Sequence, residues 1–344
     1  KMMRQNTVFN NAESYTHSEL VETVESVPEK AAFAVREGEY IVPTLLPKEY
    51  TEVEEIVSKI DELDLAIVEE VARSKYLNSL QIYELVSLRG FSVQRGHLRK
   101  RILKLMRYRV IRENIIKSPD VERGIRYYEL DAKGYVIAKD RGVIFHIGNY
   151  YMSYSKRVEQ GKFDSPSDIK RILCGNQIVT HMLINNIKLD GFGIMETFCV
   201  ENEDGLVTDG AILRTAANIK IDNDSVLAYE VVRDNTEGYI KLADKVERYY
   251  TLLHNKNYLI ANHHGDTSFP QLVICGESTE HNKKIAEFLK DKGLWREEDP
   301  ILFTEDLLNI KDSAKSIYEI KGNELIWYCL PLKNQKKMEE KVSA

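Results

Sequence analysis

The fold of the first half of this chain is decided by residues 92–112, which read S-V-Q-R-G-H-L-R-K-R-I-L-K-L-M-R-Y-R-V-I-R. Eight of these residues are Arg or Lys, and none is acidic. The apolar residues recur at i, i+4, i+7 and i+8, on one face of a helix: Leu98, Ile102, Leu105 and Met106. The segment therefore predicts a helix, capped at Ser92, with one face in a core and a positively charged remainder.

The neighbouring segments predict two further helices and a β-hairpin around this basic helix. Upstream, residues 63–76 carry apolar residues at helical spacing, and Asn78 or Ser79 can cap a second helix. A turn of about three residues then precedes the basic helix, within the range of a helix-turn-helix. Downstream, residues 108–116 and 125–130 have the composition of paired strands. This is the order of a winged helix, whose third helix enters the major groove of DNA while the hairpin contacts the backbone.

Positive charge is concentrated in this region of an otherwise acidic chain. Residues 88–126 contain 12 Lys and Arg against 3 acids, a balance of +9, whereas the whole chain carries −6. Such a local concentration favours a polyanion as the partner of one patch. The alternative is a solvated charged face on a winged helix that is used only for protein contact.

The candidate DNA-contacting residues lie on the basic helix and on the hairpin. Those expected to read the major groove are Gln94, Arg95, Arg99 and His97. Candidates for base edges, for phosphates or for the solvent face are Lys100, Arg101, Lys104 and Arg107. The hairpin adds Lys117 and Arg123. Phosphate contacts of this kind predict binding that weakens steeply with salt.

The second half of the chain predicts an α/β domain with the element order α-β-β-β-α-β. The predicted elements are a helix at 168–186, strands at 193–201, 206–214 and 225–232, a helix at 236–253 and a strand at 270–275. This is the core order of the PD-(D/E)xK nuclease-like fold, which holds Mg²⁺ between an Asp on its second strand and a Glu on its third. Hard carboxylate oxygens suit Mg²⁺, and the metal can activate water for attack on phosphorus.

The acids of that fold have counterparts here, but the motif is incomplete. Asp209 and Glu230 lie on the predicted second and third strands. Two residues after the Glu the motif has Lys, but this chain has Val232. Directly before the Asp the motif has Pro, but this chain has Thr208. Lys245 on the following helix could replace the missing lysine and complete a catalytic site. The broken motif favours an inert domain and leaves open whether the protein is an enzyme.

Three runs in this half resemble the replication-relaxation family of plasmids and integrative elements. They are D-G-A-I-L-R (209–214), Y-E-V-V-R-D-N-T-E (229–237) and K-L-A-D-K-V-E-R-Y-Y (241–250). The matching positions are Asp209, Glu230, Arg233, Thr236, Glu237, Lys245 and Tyr249. The resemblance covers roughly residues 63–253. It implies an accessory DNA-binding protein in plasmid replication, relaxation or mobilisation, with relaxase or replication proteins as further partners.

The composition and the absence of certain motifs argue against several classes of protein. The four cysteines are far apart and form no C-x-x-C, which argues against a zinc ribbon and fits reduced thiols in a cytoplasmic protein. No apolar run is long enough for a membrane span, no signal peptide is recognisable, and no phosphate-binding G-x-x-x-x-G-K-[ST] occurs. No cofactor is therefore expected, unless Mg²⁺ binds an active nuclease-like site.

These observations predict an α+β chain in four parts. They are an N-terminal segment with helices, partly disordered (1–61), a winged-helix DNA-binding domain (62–142), a PD-(D/E)xK nuclease-like α/β domain (143–332) and a charged tail (333–344). The predicted function is sequence-specific binding of double-stranded DNA, with the second domain used for protein contacts or homodimerisation. The alternatives are a Mg²⁺-dependent endonuclease or nickase targeted by the winged helix, and a winged-helix transcriptional regulator.

Overall fold

A computed structural model describes most of the chain. The described residues are 33–47, 51–143, 164–195, 197–201, 213–222, 225–254, 259–261 and 270–333. They divide into two compact units, one of the described residues between 35 and 176 and the other of the described residues between 177 and 333 with 33–34. No described helix combines the length and the apolar composition needed to cross a membrane.

The first unit combines helices with a three-stranded antiparallel sheet. Its helices are α1 (Val53–Lys59), α2 (Glu62–Ser74), α3 (Ser79–Leu88), α4 (Arg95–Arg107), α5 (Ala132–Asp140) and the first part of α6 (Pro166–Ile184). Its strands, in sheet order, are β1 (Tyr40–Pro43), β2 (Ile111–Ser118) and β3 (Val121–Leu130). A single antiparallel bridge also joins Leu77, between α2 and α3, to Tyr128 of β3.

Local sequence explains where α3 and α4 begin and end. Asn78 caps α3 and forms a reciprocal capping box with Gln81, as the sequence predicted for this end. Gly90 follows α3 with a φ of 90°, a conformation that favours glycine. The prediction that Ser92 caps the basic helix is wrong, because α4 begins at Arg95 and its N-cap is Gln94, whose side chain makes no capping hydrogen bond. The connection between the two helices is therefore longer than predicted.

The hairpin is tighter than the sequence suggested. The strand ends predicted at 116 and 125 are wrong, because β2 continues to Ser118 and β3 starts at Val121. Only Pro119 and Asp120 connect the strands, and both are exposed. Paired backbone thus extends nearly to the tip of the hairpin.

The second unit is built on a seven-stranded mixed sheet. Its strands are β4 (Gly191–Ile194), β7 (Ala217–Asp222), β8 (Ser225–Val231), β10 (Pro270–Gly276), β11 (Ile301–Glu305), β12 (Ile317–Lys321) and β13 (Glu324–Tyr328). Their order in the sheet is β13-β12-β11-β10-β8-β7-β4. A smaller sheet contains β5 (Thr197–Glu201), β6 (Leu213–Arg214) and β9 (Leu259–Ala261). The helices are α7 (Thr236–His254), α8 (Thr279–Asp291) and α9 (Asp306–Lys311), with the end of α6.

The centre of the large sheet is parallel and its flanks are antiparallel. β8, β10 and β11 run parallel, while β4, β7, β12 and β13 pair antiparallel with their neighbours. α7 and α8 connect the parallel strands, and a buried apolar cluster joins β8 to α7 through residues such as Val226, Ala228, Leu242 and Val246. The described chain therefore has the mixed α+β fold that the sequence predicted. β7, β9 and β12 were not predicted. The single strand predicted at 193–201 is wrong, because the structure divides it into β4 and β5, which belong to different sheets.

Candidate nucleic-acid interface

The predicted burial of one face of α4 is confirmed. Leu98, Ile102, Leu105 and Met106 are all buried. Their burial fixes the orientation of the helix in the first unit and leaves the opposite side exposed. The predicted binding residues on this helix and its N-cap separate into an exposed group and a group held by acids of the same unit.

The exposed group contains six of the predicted residues: Gln94, Arg95, His97, Arg99, Lys100 and Arg107. Within the described part of the chain, none of the four cations in this group is paired with an acid. Their charge is therefore not neutralised by described neighbours and is available to an external anion.

Arg95 at the start of α4 is positioned by an aromatic ring. Its guanidinium carbon lies 5.4 Å from the ring centroid of Tyr83 on α3. A cation over an aromatic face is attracted by the ring quadrupole, and the contact restricts the side chain without neutralising its charge. Arg95 is therefore partly ordered before any ligand binds.

Two predicted residues, Arg101 and Lys104, form ion pairs with acids at the start of α2. Arg101 Nη1 lies 2.5 Å from Asp61 Oδ2 and 3.1 Å from Asp64 Oδ2. Lys104 Nζ lies 2.7 Å from Asp64 Oδ2 and donates a hydrogen bond of 2.8 Å to the carbonyl oxygen of Lys59. Burial alone raises the pKa of Asp61, but the backbone N–H of Asp64 and the side chain of Arg101 outweigh it, so the pKa is lowered. These two cations hold α4 against α2.

Further cations of residues 88–126 are also held by acids of the first unit. They are Arg89, which pairs with Glu69 and Glu70, and Arg109 and Arg112, which both pair with Asp131. The charge excess counted from the sequence is thus reduced by intramolecular pairs, and what remains is concentrated on the exposed side of α4 and on the hairpin.

On the hairpin, Lys117 is half-buried in β2, whereas the side chain of Arg123 lies outside the described residues. Arg126 of β3 is exposed, and the prediction missed it as a site residue. Burial and a hydrogen bond to Glu113 raise the pKa of Tyr128, while the positive charges of Arg126 and Arg99 act against that rise. Arg126 of β3 and Arg99 of α4 therefore both act electrostatically on Tyr128. Arg126 is a cation of the predicted strand 125–130, three residues after Arg123, and this is the sequence signal that could have identified it.

The predicted nuclease-like residues lie in the second unit. Glu230 of β8 is 3% exposed, and its Oε1 atom lies 2.6 Å from Nζ of Lys245 on α7. The helical lysine therefore reaches the strand carboxylate, as the sequence allowed. Asp209 lies outside the described residues. A Mg²⁺ ion at Glu230 would have to compete with the ammonium group of Lys245 for the carboxylate.

The other residues of the family resemblance are occupied in packing and ion pairs. Arg233 is buried and forms two hydrogen bonds with Asp306 of α9, of 2.6 Å and 3.0 Å. Glu237 at the start of α7 pairs with Lys241 one turn later. Tyr249 is buried in the apolar cluster beneath α7. These contacts stabilise the unit and, among the described residues, leave Glu230 and Lys245 as the pair nearest to nuclease chemistry.

Comparison of the chain with protein-family models gives no match, and comparisons with curated proteins and with solved structures give none either.

Proposed function

We propose that this protein binds double-stranded DNA in a sequence-specific manner, with α4 as the recognition helix of a winged-helix domain. The observation that carries the proposal is the set of exposed cations on α4 without an acidic partner in the described chain: Arg95, Arg99, Lys100 and Arg107. A rigid helix that presents several unneutralised guanidinium and ammonium groups suits a regular polyanion.

The arrangement around α4 supports the winged-helix assignment. Three helices, α2, α3 and α4, are followed by the β2–β3 hairpin. The bridge from Leu77 to Tyr128 ties the segment between the first two helices to the returning strand. In such domains the third helix enters the major groove and the hairpin lies along the backbone. Arg126 and Lys117 then supply cations on the hairpin side.

The exposed side chains can make both kinds of contact that DNA recognition needs, hydrogen bonds to base edges and ion pairs with phosphates. Arg95 and Arg99 can each donate two hydrogen bonds to the O6 and N7 atoms of guanine, which contributes about 1–3 kcal/mol of discrimination. Gln94, at the N-cap of α4, has the amide that pairs with adenine. Lys100 and Arg107 can neutralise phosphates and so position the helix.

The biological setting that we propose comes from the resemblance to the replication-relaxation family. On that basis the protein is an accessory DNA-binding protein of a plasmid or mobile element, acting in replication, relaxation or mobilisation. The second unit then serves contacts with relaxase or replication proteins, or with a second copy of the chain, because Glu230 and Lys245 already neutralise each other.

The proposal is tested by measuring duplex affinity as a function of salt concentration. The variant Arg95→Gln/Arg99→Gln/Lys100→Gln removes three exposed cations of α4. Its control, Lys241→Gln/Arg248→Gln/Lys283→Gln, changes the net charge equally but removes cations from α7 and α8 that pair with acids of their own helices. The α4 variant is expected to lower affinity at least tenfold and to reduce the slope of log affinity against log salt by about 1, because Lys100 is the one residue of the three that is assigned to a phosphate. Equal losses in both variants would contradict a recognition role for α4.

The contact between Lys245 and Glu230 favours one second candidate, a Mg²⁺-dependent endonuclease. In that case the helical lysine replaces the one missing after Glu230 and, with Asp209, the carboxylate holds the metal. Incubation of supercoiled DNA with the protein and Mg²⁺ or Mn²⁺ tests it. Nicking that is lost in Glu230→Gln and in Lys245→Met supports the enzyme, whereas intact DNA that still binds the protein supports the binding function alone.

A further inference from the structure

One exposed side of α4 is a ridge of four residues, Gly96, Lys100, Leu103 and Arg107. They are spaced by four, three and four positions, which aligns them along one side of a helix. The ridge lies opposite the buried stripe that begins at Leu98, and all four residues are exposed. In the proposed DNA complex this side of α4 faces the groove.

The centre of the ridge is apolar. Leu103 is 37% exposed, and the cations Lys100 and Arg107 lie on the two sides of it along the helix. Gly96 lies one turn before Lys100 at the N-terminal end of the ridge. A Cβ atom added there would meet no neighbouring group within 4 Å, so this end of the ridge is narrow and unobstructed. Leu103 cannot form a hydrogen bond with a base edge or a phosphate, so only an apolar group of DNA suits its position.

The major groove offers one apolar group, the C5-methyl of a pyrimidine. Thymine carries it in ordinary DNA, and 5-methylcytosine carries the same methyl where cytosine is modified. We infer that Leu103 determines specificity by packing against a pyrimidine C5-methyl group, between contacts made by Lys100 and Arg107. This inference rests on the proposed DNA-binding function and adds to it a defined chemical feature of the target sequence.

The experiment uses the full chain and DNA that differs only in this methyl group. A random duplex pool is enriched by the wild-type protein and then copied with dTTP, with dUTP in place of dTTP, or with 5-methyl-dCTP in place of dCTP. Dissociation constants are measured on all three pools for the wild type, for Leu103→Ala and for Leu88→Ala. Leu88 is a matched control because it is an exposed leucine of α3, at 44%, that is not on the ridge.

The wild type and Leu88→Ala are expected to bind the thymine pool about fourfold more tightly than the uracil pool, the effect of burying one methyl-sized group. Leu103→Ala is expected to bind these two pools equally. If 5-methylcytosine is the target, the wild type instead gains affinity for the 5-methyl-dCTP pool, and Leu103→Ala loses that gain. Because Leu103 is exposed, both variants should keep the wild-type thermal midpoint.

The inference is overturned if the wild type binds all three pools equally, or if Leu103→Ala keeps every preference of the wild type. Either result leaves the proposed function intact, because binding itself persists. If the wild type binds no duplex in a salt-sensitive manner, the proposed function fails and the role of Leu103 fails with it.

Discussion

The exposed cations of α4 and the cations near Glu230 have opposite environments. On α4, Arg99 and Lys100 are exposed and have no acidic partner in the described chain. In the second unit, Arg233 is buried against Asp306, and Lys245 contacts the buried Glu230. In both regions the sequence has charged residues in a pattern typical of a functional site.

The difference shows how burial and pairing separate binding from structure. A buried charge needs a partner because its desolvation is costly, so a pair such as Arg233 with Asp306 is committed to the fold. An exposed cation costs little to leave unpaired, and an external anion can supply its partner. The following variants test this distinction, beginning with the largest expected effect.

Removal of Arg233 should strongly destabilise the second unit. Arg233→Met leaves Asp306 buried without its bidentate partner and is expected to lower the free energy of unfolding by about 3–5 kcal/mol. Urea denaturation measures it, with Lys241→Met of the exposed Glu237 pair as the control, for which a loss of about 0.3–0.5 kcal/mol is expected. Similar small losses in both variants would show that burial does not distinguish the pairs.

A second buried carboxylate should make stability depend on pH. Burial raises the pKa of Glu305 from its ordinary 4.5 to about 7, despite a hydrogen bond from Thr279. Between these values the folded state holds a proton that the unfolded chain has lost, so this stabilisation is present below pH 4.5 and is lost as pH rises through 7. Relative to the wild type, Glu305→Gln should therefore gain up to about 3 kcal/mol between about pH 4.5 and pH 8.

Urea denaturation at each pH tests the Glu305 prediction. The control Glu324→Gln changes an exposed carboxylate of β13 and should follow the wild type throughout. A pH dependence that is the same for Glu305→Gln and for the wild type would contradict the prediction.

Removal of the charge on Asp64 should convert one structural cation, Lys104, into a binding cation. Asp64 is fully buried and accepts from Arg101 and Lys104. Asp64→Asn is expected to cost about 2–3 kcal/mol of stability. In the folded variant, however, the slope of log affinity against log salt should become steeper by about 1, because Lys104 can then contact a phosphate, whereas Arg101 keeps its pair with Asp61. A folded variant with an unchanged slope would show that Lys104 lies beyond reach of the duplex.

The smallest effect is expected from the ring beneath Arg95. Tyr83→Leu removes the cation–π contact and should weaken duplex binding about twofold to fivefold, because Arg95 is no longer held in place. Tyr83→Phe keeps the ring and should bind as the wild type does. Anisotropy titrations separate the two results, and equal weakening by both substitutions would assign the effect to the hydroxyl group.

The sequence was sufficient to predict elements whose signals are local. The apolar spacing from Leu98 to Met106 identified α4, and Asn78 identified the start of α3. The start of α4 was misplaced because Gln94 makes no side-chain cap, so no capping residue marks it. β7 was missed although Ala217, Ile219 and Ile221 alternate with polar residues, which is itself a strand signal.

Which cations of the candidate site are neutralised could not be predicted from the sequence. The contact between Asp61 and Arg101 joins residues 40 positions apart, and it depends on how α2 packs against α4. Helical spacing gives the direction of a side chain but not the charge of the element that it meets. For the same reason the sequence could offer only alternatives for Glu230, and the contact with Lys245 required the fold.

The most direct test of the account compares Arg107→Gln with Arg101→Gln, two substitutions of identical chemistry on the same helix. Salt titrations of duplex binding and urea denaturation are measured for both variants. We expect Arg107→Gln to reduce the salt slope by about 0.9 and to leave the free energy of unfolding unchanged, whereas Arg101→Gln lowers that free energy and leaves the slope unchanged. Equal reductions of the slope, or a reduction with Arg101→Gln alone, would contradict it.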